Sequence, residues 1–200
     1  MTVLVQNPGA LVVYVLVASI TPGPNNLAVT TAGVAKGHRA ALATGAGVSV
    51  GWGLQVAICG IGLAAVIHAV PTLSRLVEGL AIAYLLWLAW RLWRADHIGS
   101  TGPVLGFWGA VFFQWVNPKA ITLSLSLAGL FVVHSGGLAQ VWSALIVASA
   151  AAVLAFPCTS SWGLAGSSLT RRLSRPGTAL YFNRAAAVAL IGVVIWLLLE

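Results

Sequence analysis

The sequence predicts an all-α integral membrane protein with six transmembrane helices in two inverted three-helix repeats, the first and fourth helices being broken. Composition is the first reason, because 60% of the 200 residues are hydrophobic and 6% are charged, which excludes a soluble globular domain. The second reason is that the apolar residues gather in six stretches of about the 20 residues that span a bilayer. The third is that prolines and asparagines interrupt two of these stretches.

The six apolar stretches are joined by short connections, so we predict a single membrane domain over residues 1–200. The stretches cover residues 9–31, 41–67, 76–93, 105–132, 139–165 and 181–199. The interruptions fall at corresponding places in the first and fourth stretches, which divides the chain into one repeat at 1–95 and another at 103–200. Since each repeat has an odd number of helices, the second lies upside down relative to the first, as in many secondary transporters.

The basic residues predict how these helices are oriented, because cytoplasmic loops carry an excess of lysine and arginine. Most of the ten Lys and Arg residues lie in or beside the first, third and fifth connections: Lys36, Arg39, Arg91, Arg94, Arg171, Arg172, Arg175 and Arg184. The second and fourth connections hold only Arg75. We therefore expect the first, third and fifth connections to be cytoplasmic and both chain termini to lie outside.

The charged residues also argue against other classes of protein. The basic residues are scattered in ones and twos, so the net charge of +7 does not predict a nucleic-acid-binding face. The three acidic residues, Glu78, Asp96 and Glu200, lie outside the predicted spans or at their ends, and they form no pair for general acid–base catalysis. Without converging carboxylates or histidines, the sequence predicts neither an enzyme nor a bound metal or cofactor.

The first interruption lies in SITPGPNNLAVTT, residues 19–31. Unpaired backbone groups cost several kcal/mol in hydrocarbon, so a break there persists only where protein or a cavity covers it. We expect the first helix to break at Pro22 to Pro24, with Gly23 as the cap and Pro24 as the first residue of the next half-helix, since Pro is favoured at that position. Asn25 and Asn26 would add amide donors and acceptors.

The second interruption lies in WVNPKAI, residues 115–121. Asn117 followed by Pro118 is a favourable helix start, in which the Asn side-chain oxygen caps exposed N–H groups. The N–H groups and the positive dipole end of such a half-helix favour an anion such as a carboxylate. The alternative is that both interruptions are simple proline kinks satisfied by neighbouring helices.

The two interruptions are predicted to meet in the middle of the membrane. At about 1.5 Å per residue, Pro22 lies roughly 18 Å into its span and Pro118 about 20 Å into its own, out of about 30 Å of hydrocarbon. Half-helix starts that approach from opposite sides suit a zwitterion, whose carboxylate meets N–H groups while its ammonium meets carbonyl oxygens. These two segments are therefore our main candidate substrate site.

Lys119 is the charged residue placed well inside a predicted span, and such residues usually face a cavity or a partner. The alternative is that its long side chain extends to the membrane interface. Thr122 follows on roughly the same helical face and is a further candidate site residue, although hydroxyls in membrane helices often bond their own backbone.

The second stretch carries small residues at helical spacing, Ala43, Gly47 and Gly51 in one row and Gly45, Ser49 and Gly53 in another. Small residues let helices approach closely, so we interpret these rows as packing faces that also allow a homodimer. Gln55 lies in the same helix and is a candidate to line the site or to bond a neighbouring helix.

Residues 21–51, TPGPNNLAVTTAGVAKGHRAALATGAGVSVG, together with FWGAVFFQWVNPKAI, resemble the LysE/RhtB family of bacterial amino-acid exporters. Ala83 to Leu85 are similar to a conserved patch in the family's third helix, and Asn183 to a position in its last helix. Ala81 and Ala89 depart from the glycines expected beside that patch. The resemblance implies a six-helix protein of the bacterial inner membrane that exports an amino acid or a derivative, driven by the proton gradient.

We therefore predict secondary export by alternating access around Pro22 to Asn26 and Asn117 to Lys119. One alternative is an exporter of metal ions or other solutes on the same scaffold. Another is a membrane thiol–disulfide relay, in which Cys59 and Cys158, one in the second helix of each repeat, meet near the centre of the protein.

Overall fold

The computed structural model describes residues 4–63, 71–94, 104–168 and 176–199. In these ranges the chain forms eight α-helices, and the all-α prediction is confirmed for this part of the chain. The helices are α1 Pro8–Ile20, α2 Pro24–Lys36, α3 His38–Ile58, α4 Pro71–Trp93, α5 Phe107–Phe113, α6 Pro118–Phe131, α7 Gly137–Ser168 and α8 Pro176–Leu199. A π-helical turn, Cys59–Leu63, extends α3, and a 3-10 turn, Gln114–Val116, follows α5.

Each of the six predicted stretches is mainly helical where the structure describes it, and the first and fourth are interrupted by non-helical residues. The end of the second stretch lies outside the described residues. By length and composition, α3 with its π-helical turn and α7 can each cross a membrane, and α1 and α2 can do so as a bent pair. Within the described ranges this makes two spans, or three with the bent pair. The six-span arrangement and the inverted repeat remain predictions.

Both predicted interruptions are confirmed. The axis of α2 is bent by 53° from that of α1, and Thr21 leaves the helix with an extended ψ of 133°. In the fourth stretch, the 3-10 turn leads to Asn117, whose ψ of 107° is also extended, and α6 begins at Pro118. Proline is the first residue of both α2 and α6, where its missing N–H breaks no intrahelical bond.

Helices α3 and α7 pack against each other as an antiparallel pair at the centre of the described structure. Going along α3, a Cβ on Gly45 would meet Ser160, one on Gly53 would meet Ala148 and Ala152, and one on Gly60 would meet Ala144. Residue numbers thus rise along α3 as they fall along α7. The predicted packing role of this row of small residues is confirmed.

The other row of small residues, at Gly47 and Gly51, packs against α5. A Cβ on Gly47 would overlap the Phe107 carbonyl oxygen, and one on Gly51 would lie 2.7 Å from that of Val111. Ala43 is exposed and does not extend this contact. Helix α2 packs on α7 in the same way, through Gly33 and Gly163.

Helices α4 and α8 form a second apolar cluster, which contains Ala89, Leu92, Ala187, Leu190 and Val194. Leu27 of α2 packs against this cluster. The pair therefore lies beside the α1–α2 break, where it borders the candidate site.

Candidate functional site

Lys119 of α6 reaches the carbonyl oxygens exposed at the break between α1 and α2. Its Nζ donates to the Thr21 oxygen at 3.0 Å and to the Pro22 oxygen at 3.3 Å. The side chain thus places a positive charge at the C-terminal end of α1, where the helix dipole is negative. Lys119 therefore bonds a partner inside the protein, as the first of the two predictions for this residue expected. Its side chain does not follow the alternative, in which it extends to the membrane interface.

The neighbouring carbonyl groups of α1 also have side-chain partners. Asn26 Nδ2 donates to the oxygens of Ser19 at 2.8 Å and Thr21 at 2.9 Å. Trp162 Nε1 of α7 donates to the Ile20 oxygen at 3.2 Å. Side chains from α2, α6 and α7 therefore satisfy backbone groups that the end of a helix leaves without intrahelical partners.

An amide network joins the two breaks directly. Asn25 Nδ2 donates to Gln114 Oε1 at 2.9 Å, and Gln114 Nε2 donates back to Asn25 Oδ1 at 3.1 Å. Asn117 Nδ2 donates to the same Asn25 oxygen at 2.8 Å. Gln114 and Asn117 are fully buried, so this network lies in the protein interior and fixes the first break against the second.

Gln55 extends the network into α3. Its Nε2 donates to the Gln114 carbonyl oxygen at 3.0 Å, and its Oε1 accepts from Ser124 Oγ at 3.0 Å. The residue is buried and bonds neighbouring helices, and it does not line either of the two cavities near the break.

The predicted capping role of Asn117 is wrong. Within the described residues no side chain caps α6, because Asn117 Nδ2 is bonded to Asn25, and Asn117 Oδ1 has no hydrogen-bond partner there. No side chain caps α2 either, since its N-cap residue is Gly23. The first N–H groups of both half-helices are thus left without a capping side chain.

A cavity of about 30 Å³ with both polar and apolar residues in its wall lies between the α1–α2 break and α6. We call it the polar cavity after its polar side chains. Lys119, Asn25 and Asn26 line it, together with Ser19 of α1 and Trp52 of α3. In the part of the chain that the structure describes, three buried polar atoms of this lining have no hydrogen-bond partner: Ser19 Oγ, Asn26 Oδ1 and Trp52 Nε1. Each such atom costs about 1–3 kcal/mol, so the cavity is suited to a ligand that supplies both hydrogen-bond donors and acceptors.

A larger, apolar cavity of about 170 Å³, half open to the outside of the protein, shares Gly23 and Asn26 with the polar cavity. Leu27, Trp162 and the α8 residues Ala186 and Leu190 form much of its wall.

The structure brings most of the predicted site residues together. Those that line a cavity are Pro22, Gly23, Asn25, Asn26 and Lys119. Pro24 and Pro118 are buried at the helix starts, and Asn117 and Gln55 belong to the amide network. Thr122 is half-buried on α6 and lies outside both cavity linings.

Sequence reasoning missed Ser19, Trp52, Gln114 and Trp162. Gln114 carried a signal, since it is an uncharged polar residue within the apolar run FFQWV, as Gln55 is within α3. The other three are ordinary residues for an apolar helix, and their role depends on contacts that only the fold creates.

The two cysteines are far apart, which overturns the relay hypothesis. Cys158 lies beside Thr159 and Ser160, which face Gly45, whereas Cys59 lies beside Gly60, which faces Ala144. The rise between Gly45 and Cys59 is about 20 Å at about 1.5 Å per residue, whereas the Cα atoms of a disulfide are about 4.4–6.8 Å apart. Both cysteines are free thiols.

Apolar helices broken in the middle, with exposed helix ends around a small polar cavity, are typical of membrane transport proteins. The chain belongs to the LysE family, because the sequence profile of the LysE type translocator matches residues 16–200.

Relatives of the chain include cysteine/O-acetylserine efflux proteins of enterobacteria. That of Klebsiella pneumoniae is 29% identical over 181 residues, which cover 88% of this chain and 90% of the relative. That of Escherichia coli O139:H28 is 28% identical over 183 residues, which cover 89% of this chain and 90% of the relative. That of Salmonella choleraesuis is 36% identical over 124 residues, which cover 60% of this chain and 62% of the relative. No solved structure matches the chain significantly.

Proposed function

We propose that this chain exports an amino acid or a close derivative across the bacterial inner membrane, by alternating access and at the expense of the proton gradient. The moving units are the two three-helix repeats, residues 1–95 and 103–200, inverted relative to each other. Both chain termini lie on the outer side of the membrane. The homodimer that the small-residue rows suggested loses that support, because both rows pack against helices of the same chain.

The observation that carries this proposal is the chemistry of the polar cavity. The Lys119 ammonium group and the unpartnered Trp52 Nε1–H are donors that suit a carboxylate. Asn26 Oδ1 and Ser19 Oγ are unpartnered acceptors on the break that suit an ammonium group. A zwitterionic amino acid presents both groups within a few ångströms, and it would satisfy all three unpartnered atoms.

The size of the polar cavity supports a conformational change. One water needs about 10–15 Å³, so a cavity of about 30 Å³ is too small for a whole amino acid. The hydrogen bonds that join Lys119 to Thr21 and Asn25 to Gln114 cross between the proposed repeats. Breaking these bonds would open the site and allow the repeats to rock around it.

The test is efflux from cells preloaded by dipeptide feeding, comparing the wild-type chain with an empty vector. All released amino acids are quantified, with cysteine and O-acetylserine included because relatives of the chain bear those names. We expect faster release of one or a few amino acids. Absence of any release above the vector, with the protein confirmed in the membrane, would contradict the proposal, and resistance to metal ions instead would indicate the metal exporter.

A further inference from the structure

The apolar cavity beside the break has room for a ligand group that the polar cavity cannot hold. Its volume is about 170 Å³, and its wall includes Leu27, the Trp162 ring, Ala186 and Leu190. An apolar cavity of about 150 Å³ is large enough to bind benzene. The space is therefore comparable to the side chain of phenylalanine, leucine or methionine.

Asn26 connects this cavity with the polar one. Its Nδ2 is engaged by two carbonyl oxygens of the break, whereas its Oδ1 is buried and has no partner. The residue is 3% exposed and lines both cavities. An ammonium group bound to Asn26 Oδ1 would lie at the junction, with a carboxylate directed toward Lys119 and a side chain directed into the apolar cavity.

We propose that the apolar cavity is the side-chain subsite of the transported molecule, and that this chain prefers amino acids with bulky apolar side chains. The inference rests on the proposed export function and adds the class of substrate to it. A side chain as small as that of cysteine or serine leaves most of the cavity unfilled and gains little from burial.

A lipid acyl chain is the other occupant of suitable polarity. It carries no hydrogen-bond donor for Asn26 Oδ1, which would remain buried without a partner at a cost of about 1–3 kcal/mol. An α-amino acid fills the cavity and also satisfies this atom, so the amino acid is the occupant that the contacts favour.

The test alters the volume of the cavity without touching the polar groups. Ala186→Leu fills part of the subsite, and Val188→Leu extends an apolar side chain on the same helix at a position that is 58% exposed. We expect Ala186→Leu to lower the ratio of leucine to alanine export at least about tenfold, and Val188→Leu to leave it unchanged. Leu190→Ala enlarges the subsite and should raise the ratio of phenylalanine to alanine export.

Unchanged ratios in Ala186→Leu and Leu190→Ala, with export still present, would overturn the subsite and leave the export function standing. If the wild-type chain exports no amino acid, the proposed function itself fails.

A binding measurement covers the case in which Ala186→Leu does not insert. Leucine should raise the Tm of the purified wild-type protein more than alanine does at the same concentration, since ligands stabilise the state they bind. Equal shifts would overturn the subsite.

Discussion

The Nζ nitrogen of Lys119 lies 3.0 Å from the carbonyl oxygen of Thr21, although 98 residues separate them in the chain. A side chain at the start of one half-helix thus neutralises the end of another. The neighbouring Gly23 leaves room for this approach, because a Cβ there would lie 3.0 Å from Lys119 Cδ and 3.2 Å from Nζ and would require the side chain to shift.

Replacing Lys119 by methionine should reduce export at least about tenfold. The change keeps the apolar part of the side chain but removes hydrogen bonds from a charged donor, which are worth about 1.5–3 kcal/mol. Efflux of the transported amino acid from preloaded cells measures the effect. Lys36→Met is the matched control, since Lys36 is exposed at the end of α2. Equal efflux by Lys119→Met and wild type would remove Lys119 from the site.

Gly23→Ala should reduce export by displacing the Lys119 side chain a few tenths of an ångström. The control is Gly129→Ala on α6, where a Cβ would meet nothing within 4 Å. In a Lys119→Ala background the clash is gone, so Gly23→Ala should have little further effect on efflux or on Tm. An equally large additional loss in that background would show that Gly23 acts independently of Lys119.

Gln114→Leu should destabilise the protein by about 1–3 kcal/mol, because it removes a fully buried amide and leaves the half-buried Asn25 amide nitrogen without its acceptor. Unfolding of the purified protein in mixed micelles measures the free energy. The exposed Gln6 provides the control substitution, Gln6→Leu, for which we expect no loss. Wild-type stability of Gln114→Leu would contradict the importance of the amide network for the fold.

Gly33→Ala should destabilise the packing of α2 on α7 by about 1–3 kcal/mol through overpacking. Its Cβ would overlap the Gly163 carbonyl oxygen and lie 3.1 Å from the Ser167 nitrogen, and backbone atoms cannot move aside as a flexible side chain does. The control is Gly192→Ala on α8, which meets nothing within 4 Å and should not lower stability. The same unfolding measurement applies, and equal stabilities of the two variants would refute the close contact.

The breaks in the first and fourth stretches could be predicted because their causes are local. The prolines at the start of α2 and α6 cannot extend a preceding helix, and this effect depends only on the residue type. The small residues of α3 likewise indicated close packing, since their spacing is that of a helix face. Length and apolarity predicted the helix ends to within about five residues where the structure describes them.

The partners across the site could not be predicted, because they depend on the tertiary structure. A charge inside a membrane span, such as that of Lys119, requires a partner, but nothing near it in the chain identifies the Thr21 carbonyl. Asn117 has the local pattern of a cap. In the folded structure, however, its Nδ2 donates to Asn25 Oδ1, and this contact orients the amide group away from the helix start. Trp52 and Ser19 look like ordinary helix residues until the fold places them around the cavity.

The long separation between the partners at the break has a consequence for biosynthesis. Ribosomes add about 5–20 residues per second, so Lys119 emerges roughly 5 to 20 s after Thr21, with which it is paired in the finished protein. Trp162, the partner of Ile20, follows later still. During this interval the nascent first half carries carbonyl groups that hydrocarbon cannot solvate, and water or the insertion machinery must shield them until the second half arrives.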